Sequence, residues 1–221
     1  MSRKQDREDI VREITNAAIL YKKHLIGKRF LYIFDDRFIE VIYKAGNFRH
    51  LTGVGTSISS LNFYEKAVKS KLQAGQIYFG PRHPYELCRK KIKHICDVAT
   101  LASSESFILE EISTESREYR FGTTDLNFTL CMDMEYDAEG NEKGDCLVVY
   151  SLRDGDCFDK SRDVYSVSHI LSRANNIRGK YAEILFCDAS GSLNDLPENI
   201  KAIIDEGLLK GSGTGEGNQE V

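Results

Sequence analysis

Phe30-Leu-Tyr-Ile-Phe34, then Asp35-Asp36-Arg37, then Phe38-Ile-Glu-Val-Ile-Tyr43 is the stretch that decides the fold class. Two runs rich in aromatic and β-branched residues flank a short polar break, which predicts a β-hairpin. Upstream, Ile10, Ile14, Ala17, Ala18, Tyr21 and Leu25 recur at helical spacing, and Gly27 stands where a C-cap belongs. This predicts an amphipathic helix over 9–26. Downstream, Ser59 or Ser60 caps a helix carrying Leu61, Tyr64, Ala67, Val68 and Leu72, which Gly75 ends. A short strand at 77–79 follows, and Pro84 opens a longer helix with Tyr85, Cys88, Ile92, Ile95, Cys96 and Ala99 inward.

From residue 106 the pattern turns to strands, over 106–112, 117–122, 126–136 and 145–152, with a turn at 137–141. Asp163–Arg173 reads as a helix, Tyr181–Phe186 as a strand and Leu196–Leu209 as a last helix. Helix, hairpin, helices and then a meander of strands is the order of an α+β domain built on an antiparallel sheet. That domain is expected over 1–209, with a Gly-rich flexible tail over 210–221.

The net charge is −4, and 41% of the residues are hydrophobic, as in ordinary globular chains. No apolar run approaches the roughly 20 residues of a membrane span, and the charged N-terminus has no signal-peptide core, so a cytoplasmic protein without a membrane partner is expected. Charge is unevenly spread. Residues 63–96 carry eight Lys/Arg against two acids, and residues 105–146 carry twelve acids against three bases. Such a dipolar surface can hold an anion on one side without the whole chain being basic. The six cysteines form no CxxC pair and read as reduced core thiols. Asp133, Glu135, Asp137 and Glu139 lack the Gly and helical flanks of an EF-hand loop, and no metal or cofactor is expected. P-loop, GxGxxG, GxSxG and HExxH motifs are absent.

Among five histidines, His50 stands out in Asn47-Phe-Arg-His-Leu-Thr-Gly53, between the hairpin and a capped helix. Imidazole moves protons near neutral pH. A Thr52 hydroxyl and loop amides could hold a phosphate oxygen, with Gly53 and Gly55 admitting close approach. The same histidine could equally be a turn residue that caps backbone groups. The run Arg89-Lys-Lys-Ile-Lys-His94 reads first as a solvated helix face and second as a phosphate attractor. His24 suits a helix C-terminus, and His169, placed in the expected helix, reads as structural.

These features resemble the phage and mobile-element branch of the barnase–EndoU–colicin–RelE-like nuclease superfamily, in particular its fourth phage-type group. The resemblance runs from Phe30 to about Cys187. It rests on Asn47-Phe-Arg-His-Leu-Thr-Gly-Val54, Phe63-Tyr64, the Lys-rich helix over 85–101, Tyr150-Ser-Leu152 with Asp156, and Ile170 before Tyr181. It implies helices packed on a curved antiparallel sheet and a metal-independent endoribonuclease acting through the RNA 2′-hydroxyl. It carries His50, Thr52 and Ser151 over as catalytic residues. Arg49, Gly53, Lys71, Arg153 and Tyr181 then become the expected substrate contacts. RNA, tRNA included, is the expected partner. Two other readings stay open: an inactive scaffold that only binds RNA, and a toxin or phage accessory factor held by an antitoxin or host protein.

Overall fold

The computed structural model describes residues 3–115, 117–176, 179–189 and 191–211. The expected tail therefore lies, from 212 onward, outside the described residues. A first helix, α1 (Arg3–His24), is followed by β1 (Lys28–Phe34) and β2 (Arg37–Ile42). Then come four helices, α2 (Phe48–Thr52), α3 (Ser60–Val68), α4 (Tyr85–His94) and α5 (Val98–Leu101). The strands β3 (Phe107–Ser113), β4 (Glu118–Thr124), β5 (Phe128–Asp133) and β6 (Leu147–Asp154) form the meander. β7 (Asp163–Ser166), β8 (His169–Ala174), β9 (Glu183–Cys187), α6 (Glu198–Lys201) and α7 (Glu206–Gly211) complete the chain.

Among the described residues the strands make one open sheet in the order β7-β3-β4-β5-β6-β2-β1-β8-β9. The fold is α+β, as expected. The sheet is antiparallel except at one seam, where β2 and β6 pair in parallel through Val41–Leu147 and Ile42–Val148. The hairpin holds Phe34 opposite Arg37, with Asp35 and Asp36 both at positive φ (48° and 55°). This two-residue turn matches the twist of its strands, and Asp tolerates the left-handed region better than most residues.

β1 explains why the opening stretch is apolar throughout. Phe30, Tyr32 and Phe34 enter the main core with Ile10, Ile14, Tyr21 and Phe48, whereas Leu31 and Ile33 face a second core with Leu171, Leu196, Ile200 and Ile204. A strand covered on both faces has no polar alternation.

The same effect corrects the helix expected over 163–173, which is two strands, β7 and β8. Ile170 belongs to the main core and its neighbour Leu171 to the second. Adjacent apolar residues buried on opposite faces imitate a helical stripe, and six residue pairs with β1 settle the matter. Smaller corrections follow the same logic of local breaks. The helix begun at Pro84 is interrupted between His94 and Val98, the last helix is split in two, and 77–79 makes an isolated bridge rather than a strand. No described helix is long and apolar enough to cross a membrane.

Candidate active site at the free edge of β6

The parallel seam ends early. Beyond Val148 no β2 residue pairs with β6, and Asn47 Nδ2 donates to the Val149 carbonyl at 3.0 Å. That bond fixes the start of α2 against β6. α2 is a five-residue helix between the hairpin and α3; Phe48 and Leu51 anchor it with no exposed surface. The Phe48 ring meets Tyr21 and Tyr64 edge-on, at 5.1 and 5.5 Å between centroids. Gly53, at φ 74°, ends the helix in a left-handed cap.

The orphan carbonyls at this helix end are taken up by the next segment. Lys91 Nζ donates to the His50 carbonyl at 3.3 Å, and Cys88 Sγ donates to the Gly53 carbonyl at 3.1 Å. His83 Nδ1 lies 2.9 Å from that same oxygen. A carbonyl only accepts, so His83 carries its proton on Nδ1. A cation at a helix C-terminus is favourable in itself, but Lys91 is nearly buried, at 8% exposure. Burial, then the charge of Arg153, brings its pKa down from 10.5 to about 8.

His50 reaches the surface with one flank against the protein. Desolvation of that flank, then the charges of Arg49, Lys91 and His83, hold its pKa below the ordinary 6.5. Its ring has no hydrogen-bond partner among the described residues. Arg49 beside it is half-buried and also makes no ion pair among them.

Ser151 and Arg153 stand on β6, opposite Cys131 and Thr129 of β5. Directly paired residues share a face. Cys131 packs with Leu109, Ile112 and Tyr119, so Ser151 lies on the face turned away from the main core. Arg153 donates to Thr114 Oγ1 at 3.3 Å. The charge of Arg153 is felt by Lys91 on α4. α4 is pinned to the end of β6 by His94 Nε2, 3.0 Å from Asp154 Oδ1, with the His94 ring stacked on Phe128 at 5.2 Å. Also away from the main core, a cleft of about 670 Å³ is lined by Tyr119, Arg120, Tyr136, Lys160 and Arg162 together with several acids. Arg120 and Arg162 are ion-paired there with Glu142 and with Glu110 and Glu111.

The expected site residues thus divide. Lys91 holds the His50 carbonyl and packs against Gly53, with Arg49 next to His50 on α2, while Ser151 and Arg153 stand on β6 on the face turned away from the main core. Thr52 does not reach outward: fully buried, its hydroxyl donates to the Arg49 carbonyl at 2.7 Å and accepts from Val54 N at 3.3 Å. It shapes the turn that presents His50. Tyr181 is 1% exposed in the second core, its hydroxyl donating to Glu40 and its ring under Arg173 at 5.2 Å. Lys71 is exposed past the end of α3, with no side-chain partner among the described residues. Lys91, which the solvated-face reading of 89–94 passed over, had a signal: it falls three residues after Cys88 and four before Ile95, on the buried face.

Gly53→Ala checks the packing. A Cβ there would lie 3.0 Å from Lys91 Cδ, and alanine resists positive φ. The expected loss is about 1–2 kcal/mol in urea unfolding, with an accompanying fall in any activity that uses Lys91.

No curated protein and no solved structure matches the chain. A family model does, over residues 13–185. That span takes in α1 from its third turn, the hairpin, the α2 cap, the lysine-bearing helix and all of β6. The chain belongs to the family described as phage-Barnase-EndoU-ColicinE5/D-RelE like nuclease4.

Proposed function

We propose that the protein is a metal-independent endoribonuclease that cleaves RNA, tRNA included, by transesterification through the 2′-hydroxyl, with His50 and Lys91 as its proton-transfer pair. The observation that carries this is the nearly buried Lys91 ammonium bonded to the His50 backbone, beside the exposed His50 imidazole. The chemistry needs a base for the 2′ proton, an acid for the departing 5′ oxygen, and cations at the phosphate.

Neutral His50 takes the 2′ proton. The 2′ oxygen then attacks phosphorus, the bond from phosphorus to the 5′ oxygen breaks, and Lys91 supplies the proton to that oxygen. Of three Lys91 N–H bonds, one goes to the His50 carbonyl, leaving two for substrate. Arg49 and Arg153 balance the pentavalent phosphate. Ser151 can donate to a non-bridging oxygen, and the Gly53 turn lets the backbone approach. Thr52 acts through the geometry of α2.

The pH profile tests these roles. His50 must be neutral to act as base, and its lowered pKa puts the acidic limb of kcat/KM below pH 6.5. Lys91 must be charged to act as acid, which puts the alkaline limb near pH 8. A bell with those limbs on purified RNA in EDTA is expected, and Lys91→Arg is expected to move only the alkaline limb, upward. An alkaline limb that stays near 8 in Lys91→Arg contradicts the assignment.

A further inference from the structure

Past Gly53, where α2 ends, the chain pairs at once with the segment between α3 and α4. Gly55 N donates to the Tyr78 carbonyl at 3.0 Å, and Tyr78 N donates to the Gly55 carbonyl at 2.8 Å. Gly80 and His83 close a tight turn in the same way, at 3.0 and 2.9 Å. His83 then returns to α2 through its bond to the Gly53 carbonyl. The 78–83 turn is thus fastened to the end of the helix that carries His50, by backbone at Gly55 and by imidazole at Gly53.

The Tyr78 side chain is held in this corner yet stays open to solvent. Its ring meets the His83 ring edge-on, 5.9 Å between centroids and 86° between planes. A Cβ on Gly55 would stand 2.8 Å from Cδ2 of Tyr78 and of His83, so both rings close on bare backbone. Packing on these two neighbours leaves 47% of Tyr78 exposed. Among the described residues, one other large aromatic side chain is comparably exposed, Tyr136. That ring lines the acid-bearing cleft, where Arg120 bonds its hydroxyl at 3.0 Å. Tyr78 instead belongs to the basic 63–96 segment, with eight Lys/Arg against two acids. Arg82, inside the same turn, is exposed and makes no ion pair among the described residues.

We propose that Tyr78 is the stacking platform for one unpaired nucleobase of the substrate, with Arg82 meeting the phosphate beside it, so that the site takes single-stranded or looped RNA rather than duplex. This rests on the RNA-cleavage reading of the His50 site and names the form of RNA that the site accepts. In an A-form duplex the base faces are stacked and out of reach, whereas splayed bases stack on exposed aromatic rings. Such stacking tolerates any base, because every base has a π face. A tyrosine already packed on two neighbours loses little freedom when a base covers it. Because the turn is fastened at Gly53 and Gly55, a base on Tyr78 also fixes the strand relative to His50.

The chain contains no tryptophan, so Tyr78→Trp puts a single indole reporter on the platform. The ligand is a short single-stranded 2′-deoxy oligonucleotide, which offers bases without the nucleophile and so stays intact. Its binding to the full chain is expected to quench the indole emission, and the same sequence as a duplex is expected to need roughly tenfold more. In anisotropy with an end-labelled strand, Tyr78→Ala is expected to raise Kd about 5- to 150-fold. Tyr78→Phe, which keeps the ring, is expected to restore the affinity. Arg82→Gln is expected to lower the slope of log K against log salt by about 0.7. Tyr78→Trp keeps a ring over Gly55, so it decides the matter even if alanine unsettles the turn. Binding with unquenched emission, equal affinity for duplex, or wild-type affinity in a folded Tyr78→Ala overturns the subsite. Quenching without RNA cleavage by the wild-type chain keeps the subsite and removes the nuclease reading; cleavage without quenching does the reverse.

Discussion

His50→Ala is expected to lower kcat/KM for RNA by about 10²–10⁴, the range that a positioned acid or base contributes. The folded state is expected to be untouched. The imidazole is exposed and makes no hydrogen bond among the described residues, so its removal leaves neither a cavity nor an orphaned partner. The bond that holds Lys91 uses the backbone carbonyl of His50, which alanine keeps. Loss of activity with an unshifted urea midpoint is therefore the signature of chemistry, and purified protein on tRNA and rRNA reads both. Full activity in His50→Ala would remove the base from the mechanism. A lost midpoint would make His50 structural.

Lys91→Met is expected to lower activity by about 10²-fold or more while raising stability, a combination that packing residues do not give. Its folded pKa, about 8, lies below the ordinary 10.5, because burial and Arg153 disfavour the charged form. The unfolded chain thus binds more protons between those values, and stability rises with pH across that window. Below pH 8 the full penalty applies, about 3 kcal/mol at 1.4 kcal/mol per unit. Methionine of similar length removes it and forfeits one hydrogen bond worth about 1 kcal/mol, for a net gain of about 2 kcal/mol at pH 7. The gain is expected to disappear above pH 10.5. Urea unfolding at pH 7 and at pH 10.5 measures both ends, and destabilisation at pH 7 would show that the ammonium holds α2 in place rather than serving a reaction.

The contrast between these two residues shows what the sequence could carry. α1 was legible because its apolar residues repeat at helical spacing over several turns, and the hairpin and the β3–β6 meander because runs of aromatic and β-branched residues alternate with polar turns. β8 was not, since Ile170 and Leu171 bury on opposite faces and so carry no period-2 signal. The parallel seam between β2 and β6 joins residues about a hundred positions apart, and no local pattern encodes it. His50 could be picked out from the motif around it. Thr52 could not be placed, because a hydroxyl in a tight turn bonds its own backbone as readily as a ligand. Tyr181 was misread for the opposite reason: its partner Glu40 is distant in sequence. Lys91 was hidden in a basic run whose other members, Arg89, Lys90 and Lys93, do face solvent. Its spacing from Cys88 and Ile95 marks it for the buried face, and the docking of α4 on the α2 cap supplies its partner.

The central claim is that cleavage runs through the 2′-hydroxyl with no metal, and one substrate pair tests it most directly. Two short oligonucleotides of the same sequence, one all-ribose and one with a single 2′-deoxy sugar at the scissile position, are incubated with the protein in EDTA. The account predicts a 2′,3′-cyclic phosphate end from the first and no cleavage at that position in the second. Equal cleavage of both, or products lacking the cyclic phosphate, would contradict it.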